Sequence, residues 1–222
     1  MRLFTRPHRI RRQKVDNAMP KQATLEITVP MTVDVDGAPN AYGPDDSKAL
    51  DYELNAHEGD PPRKTNPIVG YLTKNDDGRT PILQGPDDPY PGFYISTSAF
   101  QHPTRDRLDP RKYCNAAKIN YVVRASAAHN LGVRVGDFVV VHSKKYDKTV
   151  YGVVGDTGNS RGSEGSLSLV QSLGYPFKNG KNDSVDDPDI VIRYFANTNN
   201  QFFDTQEDLN AAAETADLDD QF

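Results

Sequence analysis

The stretch from residue 150 to residue 174 constrains the fold more than any other part of this chain. It reads VYGVVGDTGNSRGSEGSLSLVQSLG. The β-branched run at its start predicts a buried strand, which ends where glycines and Asp156 interrupt regular pairing. Apolar residues then recur at helical spacing from Leu167 to Leu173, and Gly174 is a typical residue for ending a helix. The stretch therefore predicts a strand, a glycine-rich loop and a helix in succession.

Two carboxylates lie on the two sides of that loop. Asp156 follows the strand, and Glu164, eight positions later, is expected at or just before the start of the helix. This placement can aim both side chains into one cleft, and glycoside hydrolysis requires such a pair of carboxyl groups. A purely structural interpretation is open as well, since Asp156 can cap the loop and Glu164 can stabilise the N-terminus of the helix.

The run from Asn130 to Gly174 resembles the core of the fungal-type chitosanases of glycoside hydrolase family 75. Their motif is roughly V-Y-x-V-V-G-D-x-G-P, a short loop, and then G-E-x-S before a helix that ends L-G. The matching residues here are Val150, Tyr151, Val153, Val154, Gly155, Asp156, Gly158, Glu164, Ser166, Leu173 and Gly174. The chain departs from the motif at Asn159, where proline is usual, and at Ser163, where glycine is common. Both departures affect loop shape and retain the two carboxylates.

Further segments extend the resemblance to roughly residues 33–195. Residues 91–98 are similar to P-G-Y-[YF]-[VI]-S-T-[TS], and residues 119–123 are followed by G-V-R-V-G-D at 132–137. The resemblance implies an endo-acting chitosanase that cleaves β-1,4-linked glucosamine by an inverting mechanism, with chitosan as substrate and no cofactor. It implies Asp156 and Glu164 as the catalytic pair, and we expect Glu164 to be the general acid and Asp156 the general base.

The order of segments from residue 119 to residue 174 is typical of a double-psi β-barrel. A strand, a helical turn at 126–130, the phrase L-G-V-R-V-G-D, a strand at 138–142, a turn, another strand and the G-D-T-G loop follow one another. Sixteen prolines and 16 glycines also favour a β-rich, loop-rich domain. We expect a mainly β fold, a six-stranded double-psi-like β-barrel with a few short helices and long loops. Lytic transglycosylases and expansin-like proteins share that barrel, so the fold alone does not separate these activities.

The catalytic barrel domain is expected to span residues 21–200. Within it, the pattern predicts a short helix at 47–56 and strands at 23–35, 68–73, 93–97 and 190–195. Residues 1–20 predict a disordered basic arm, which lacks the apolar core of a secretory signal although a chitosanase is expected to be secreted. Residues 201–222 predict an acidic tail or helix, which we expect to be peripheral.

Other candidate substrate-binding residues are strand-end aspartates, tyrosines and small hydroxyl residues. Asp34 and Asp36 belong to a D-x-D-G-A-P-x-A-Y segment that resembles one in bacterial relatives of the chitosanases, although a solvated Asp-Gly turn explains them equally well. Because the chain has no tryptophan, tyrosine must supply any sugar-stacking face. The candidates are Tyr42, Tyr94, Tyr151 and Tyr175. Ser96 and Thr97 can line the cleft floor, with packing and strand pairing as the alternative.

Composition argues against several other classes of protein. A net charge of −5 disfavours the wrapping of nucleic acid phosphates and suits a cationic polymer such as chitosan. The chain has no apolar run of about 18 residues that would predict a membrane span. Its single cysteine precludes an internal disulfide, and its five histidines show no metal-ligand spacing. We accordingly expect a monomer that has no metal and binds neither nucleic acid nor membrane.

Three functions of different class are consistent with the sequence. The first is a chitosanase-like hydrolase, which needs both carboxylates. The second is a barrel enzyme that cleaves peptidoglycan, such as a lytic transglycosylase or an effector, for which Asp156→Ala would abolish activity and Glu164→Gln would be tolerated. The third is a non-catalytic carbohydrate-binding or structural barrel, for which both substitutions would be tolerated.

Overall fold

The computed structural model describes residues 20–59 and 61–222, so the predicted basic arm lies outside it apart from Pro20. Six strands form a closed mixed β-barrel. This architecture confirms the prediction of a mainly β, six-stranded barrel. The strands are β1 (Leu25–Asp34), β2 (Tyr121–Val123), β3 (Phe138–Ser143), β4 (Lys148–Asp156), β5 (Glu164–Ser166) and β6 (Ser184–Tyr194).

The strand order places two very short strands between two long ones. Around the barrel the order is β1–β5–β2–β4–β3–β6, and β6 pairs with β1 to close it. β1 is parallel to β5 and β2 is parallel to β4, whereas the remaining pairs are antiparallel. The three-residue strands β5 and β2 thus connect β1 to β4, which are far apart in the sequence.

Burial explains why the strands have their particular sequences. All six residues of β3 are buried, so its first four residues form a continuous apolar run that does not alternate, and His142 and Ser143 follow. β1 does alternate in burial, and its register shifts between Val29 and Met31, at Pro30, which cannot donate to the ladder. The segment predicted at 23–35 is therefore one bulged strand.

Helices are few and short among the described residues. The α-helices are α1 (Ser126–Asn130), α2 (Leu167–Ser172) and α3 (Gln206–Thr215). The 3₁₀ helices are Glu53–Ala56, Lys74–Asp76 and Pro110–Lys112. In this part of the chain, each helix is too short or too polar to cross a membrane.

Three local predictions for the region between β1 and β2 are wrong. The helix expected at 47–56 is only the 3₁₀ turn at its end. The strands expected at 68–73 and 93–97 form only isolated bridges, such as the one that joins Tyr71 to Ser96. Thr73 pairs with Pro81, which has no amide hydrogen to extend the ladder. These segments have strand-like residues but no continuous pairing partner.

The C-terminal segment is packed against the barrel and is not peripheral. Leu209 and Ala213 of α3 are fully buried and belong to the hydrophobic core. The Gln206 side chain accepts a hydrogen bond from the backbone amide of Asn120 at 2.7 Å and donates one to the carbonyl of Tyr151 at 3.1 Å. Helix α3 therefore covers the side of the barrel where β2 meets β4.

Candidate active site

A cleft of about 1040 Å³ opens where β1, β4 and β5 meet the loop that follows β4. Among the described residues, its lining contains seven acidic and two basic side chains. The acidic ones are Asp34, Asp36, Asp51, Glu58, Asp156, Glu164 and Asp183, and the basic ones are Arg161 and Lys181. Exposed residues such as Glu58 and Arg161 form part of the rim, so the cleft is accessible from solvent.

Asp156 is the last residue of β4 and is 9% exposed. It pairs with Val123, the last residue of β2, across a register shift. Its Oδ1 atom accepts hydrogen bonds from the amide of Thr157 at 2.7 Å and from the amide of Ala99 at 3.1 Å. The backbone thus holds one oxygen of the carboxyl group in a fixed position at the edge of the cleft.

Glu164 was predicted at or just before the start of the helix, and it is the first residue of β5, three residues before α2 begins. It lies opposite Thr32 of β1. Helix α2 begins at Leu167 because the Ser166 hydroxyl caps it, accepting a hydrogen bond from the amide of Leu169 at 3.1 Å. Periodicity located α2 correctly, but a three-residue strand leaves no periodic signal that would distinguish it from a helix start.

Asp34 and Asp36 form a tight turn at the end of β1. Asp34 Oδ1 accepts a hydrogen bond from the amide of Asp36 at 2.8 Å, and Asp36 Oδ1 accepts one from the Tyr42 hydroxyl at 2.7 Å. Gly37 follows with a φ of +78°, and a Cβ atom there would lie 2.1 Å from the carbonyl oxygen of Cys114. Only glycine fits at this position, so the D-x-D-G sequence has a steric basis.

Asp34 and Asp36 have raised pKa values because they are buried among other carboxyl groups. Burial is the main cause that raises the pKa of Asp34 well above its usual value, and the charges of Asp156 and Glu164 add to it. Burial and the charges of Asp34 and Asp156 raise the pKa of Asp36 in the same way, against the hydrogen bond from Tyr42. These carboxyl groups therefore retain protons at a pH where isolated ones have lost them.

Asp156 has the pKa that bears most directly on chemistry. Burial raises it to about 7, the amides of Thr157 and Ala99 oppose this shift, and the charge of Glu164 adds to it. A carboxyl group with such a pKa holds its proton at mildly acidic pH and releases it near neutrality, which is the range of a general acid or base.

The predicted site residues fall into two groups. Asp34, Asp36, Tyr42, Asp156 and Glu164 all line the cleft. Four others are not among its described lining residues, namely Tyr94, Ser96, Thr97 and Tyr151.

Each of these four side chains has a structural contact elsewhere. The Ser96 hydroxyl accepts from the amide of Gly37 at 3.0 Å and donates to the carbonyl of Gly70 at 2.9 Å. Thr97 donates to the carbonyl of Val69 at 3.4 Å. The ring of Tyr94 packs 4.7 Å from that of Tyr71.

The fourth, Tyr151, lies on the side of the barrel covered by α3. Its hydroxyl donates to the carboxylate of Asp220 at 2.8 Å. Tyr175, the remaining tyrosine proposed for sugar stacking, donates instead to Asp189 on β6. Both rings therefore serve packing contacts outside the cleft.

Several cleft residues were not predicted from the sequence. Asp51 has its pKa raised to about 6, mainly by burial. Lys181 and Asp183 come from the polar segment before β6, which no sequence motif connects to the site. Tyr121 lies beneath the cleft, and the sequence predicts it only as part of a strand. The glycine at 155 was the available signal for it, because that glycine makes room for the Tyr121 ring.

No group of three or more His, Cys, Asp or Glu residues within 20–59 and 61–222 is arranged to hold a metal ion. Comparison with known proteins adds no assignment, since neither a protein-family model nor a curated protein sequence matches this chain. The geometry and electrostatics of the cleft are therefore the basis for assigning a function.

Proposed function

We propose that this chain is an endo-acting glycoside hydrolase, similar to the chitosanases, that cleaves β-1,4 glucosamine linkages by an inverting acid/base mechanism. The observation that carries the proposal is the Asp156 carboxyl group, with a pKa of about 7, in the same cleft as Glu164. Inverting hydrolysis needs one protonated carboxyl group to donate to the leaving oxygen and one ionised group to activate water.

The strand order supports an inverting arrangement. Asp156 on β4 and Glu164 on β5 are separated by the single strand β2. Two strand spacings place their backbones about 10 Å apart. Carboxyl groups of inverting enzymes are roughly 6.5–9.5 Å apart, which leaves room for the attacking water. A backbone separation of about 10 Å between Asp156 and Glu164 is compatible with that distance between their carboxyl groups.

The pKa of Asp156 favours the reverse of the roles that we expected from the sequence. A group that keeps its proton up to about pH 7 is suited to be the general acid. We therefore assign Asp156 as the acid that protonates the leaving oxygen and Glu164 as the base that activates water. Under this assignment, kcat on chitosan falls as the pH rises through about 7, because Asp156 loses its proton.

The lining of the cleft supports a cationic polymer as the substrate. Seven acidic side chains against two basic ones create a negative potential that attracts the protonated amines of chitosan. Accessibility from solvent suits an enzyme that binds in the middle of a long chain. Tyr42 is the predicted tyrosine that lines the cleft, but it is only 3% exposed, so hydrogen bonds and charge carry more of the binding than stacking does.

The test is the release of reducing ends from soluble chitosan, chitin and peptidoglycan by wild type, Asp156→Asn and Glu164→Gln. Each substitution is expected to lower kcat on chitosan by about 10²- to 10⁴-fold, the usual contribution of a general acid or base. Asp187→Asn, an exposed aspartate on β6, is the matched control and should keep wild-type activity. The ¹H NMR spectrum of fresh product should show the α-anomer first.

Two results would contradict the proposal. Cleavage of peptidoglycan that requires Asp156 and tolerates Glu164→Gln would identify an enzyme with a single acid. Absence of cleavage of all three polymers by folded wild-type protein would leave a carbohydrate-binding barrel as the better description.

A further inference from the structure

Tyr121 is fully buried in the wall between the two sides of the cleft. It is the first residue of β2, the strand that separates β4 from β5. Its ring lies against the backbone of Gly155, and a Cβ atom at that position would lie 2.3 Å from Cγ of Tyr121. The ring thus occupies the space in which any other residue at position 155 would place its side chain, immediately before Asp156.

The hydroxyl of the same tyrosine reaches the opposite side of the cleft. It donates a hydrogen bond to the backbone carbonyl of Asp36 at 2.9 Å. That carbonyl belongs to the turn in which Asp34 accepts from the amide of Asp36. One side chain therefore touches both the strand that carries Asp156 and the turn that carries Asp34.

Asp34 is surrounded by other titratable groups from each neighbouring element. They are Asp36 in its own turn, Tyr42 after that turn, Cys114 before β2, Tyr121 on β2, Asp156 on β4 and Glu164 on β5. Burial and the acidic neighbours raise the pKa of Asp34, whereas the hydrogen bond from the amide of Asp36 and the nearby hydroxyl of Tyr121 lower it. The hydroxyl is thus the uncharged side-chain group that favours the ionised form of Asp34.

We propose that Tyr121 is a positioning residue of this cleft, whose ring seats Asp156 and whose hydroxyl holds the turn of Asp34 and Asp36 at a fixed distance from it. This inference rests on the proposed function, because the fixed spacing matters for a reaction that needs carboxyl groups on both sides of a substrate. Tyr121 does not line the cleft, so it acts through the aspartates and not on the sugar.

The decisive variant is Tyr121→Phe, which keeps the ring and removes only the hydroxyl. The first measurement is the titration of the Asp34 carboxyl carbon by ¹³C NMR, which needs no enzymatic activity. Because the hydroxyl favours the ionised form of Asp34, its loss is expected to move the Asp34 midpoint upwards. The second measurement is chitosan hydrolysis, in which kcat should fall about 10- to 100-fold with KM within twofold of wild type.

Tyr113→Phe is the matched control. Tyr113 is also buried, and its hydroxyl also donates to a backbone carbonyl at 2.9 Å, but that carbonyl belongs to Arg107, outside the cleft. This variant should leave the Asp34 midpoint and kcat unchanged. An unchanged Asp34 midpoint in Tyr121→Phe, or an equal shift in both variants, would overturn the inference.

Failure of the proposed function is separable from failure of this inference. If wild type cleaves no chitosan, the hydrolase assignment fails, and the ¹³C titration still decides whether Tyr121 holds Asp34. If Tyr121→Phe does not fold, the wild-type hydroxyl is observed directly in a mixture of H₂O and D₂O. Slow exchange should then split the ¹³Cζ signal of Tyr121 in two, and a single averaged signal would overturn the inference.

Discussion

Asp156 and Asp189 are both barrel aspartates that accept several hydrogen bonds, yet their pKa values shift in opposite directions. Burial raises the pKa of Asp156 to about 7 although two backbone amides bind its Oδ1 atom. Burial also acts to raise the pKa of Asp189, but hydrogen bonds from the hydroxyls of Ser143 and Tyr175 outweigh it, and the pKa is lowered. The carboxyl group of Asp156 accepts from two donors, whereas that of Asp189 accepts from three.

The depth of burial and the number of hydrogen-bond donors make the difference, and the neighbouring charges add to it. Glu164 faces Asp156, whereas Lys144 is close enough to Asp189 to lower its pKa. The carboxylate of Asp189 on β6 thus fixes the turn between β3 and β4 through its hydrogen bonds. In that turn it also accepts a hydrogen bond from the amide of Lys145 at 2.7 Å. The cleft instead concentrates carboxyl groups at a cost in stability, which is a common property of functional sites.

The largest expected effect is on the pH dependence of stability at Asp156. Its folded-state pKa is raised above the unfolded value, so the folded protein binds the proton more tightly. That stabilisation is fully present below about pH 4 and is lost as the pH rises through about 7. Asp156→Asn should therefore match wild type near pH 4 and exceed it above pH 7, with a difference of up to about 1.4 kcal/mol for each pH unit crossed.

Urea unfolding of both proteins between pH 4 and pH 8 measures this difference directly. The variant retains an oxygen that can accept from the amides of Thr157 and Ala99, so it isolates the effect of the charge. A difference in the free energy of unfolding that does not change with pH would contradict the account of Asp156 given above.

The second effect concerns the packing that places Asp156. Gly155→Ala puts a methyl group 2.3 Å from Cγ of the Tyr121 ring, so the ring or the end of β4 must move. We expect a loss of about 3 kcal/mol in the free energy of unfolding, as for other overpacked cores. Gly85→Ala is the control, because the nearest atom to its new methyl group is an Asp88 oxygen at 3.7 Å. Similar melting temperatures for the two variants would show that the space at residue 155 is not critical.

The contiguous parts of the fold were predictable from sequence. β3, β4, the second half of β6 and the helices α1 and α2 lie where the local pattern indicated. The first half of β6 was not predicted, because this strand begins at Ser184 in a polar segment, six residues before the predicted start at 190. β5 has three residues, and its pairing with β1 depends on a partner more than a hundred residues away. The region from 35 to 120 likewise has strand-like composition without continuous partners, because pairing depends on tertiary context.

The candidate site was predictable to the extent that it lies in one stretch of sequence. Asp156 and Glu164 flank a single loop, and the strand order brings both to the cleft. Asp34 reaches them because β1 is parallel to β5, a neighbour relation that no local pattern reveals. Tyr151 was selected as an aromatic residue within the motif, but which face of a strand lies against α3 depends on where the chain goes after β6. The tertiary structure therefore determines that Asp34 lies in the cleft and that Tyr151 does not.

The smallest expected effect is at Asp189, where the sign of the pH dependence is reversed. Tyr175→Phe removes a hydroxyl that donates to the Asp189 carboxylate and should cost about 1.5 kcal/mol at pH 7. The pKa of Asp189 is lowered in the folded protein, so its stabilising contribution is present above the unfolded value and is lost as the pH falls through the folded value. The cost of Tyr175→Phe should therefore shrink in acid, whereas the gain from Asp156→Asn grows in base. Tyr146→Phe, an exposed tyrosine of the same aromatic cluster, is the control in urea unfolding. If Tyr175→Phe lowers the free energy of unfolding equally at pH 3 and pH 7, the hydrogen bond from Tyr175 does not depend on the ionisation of Asp189. The contrast drawn here between Asp189 and Asp156 would then be wrong.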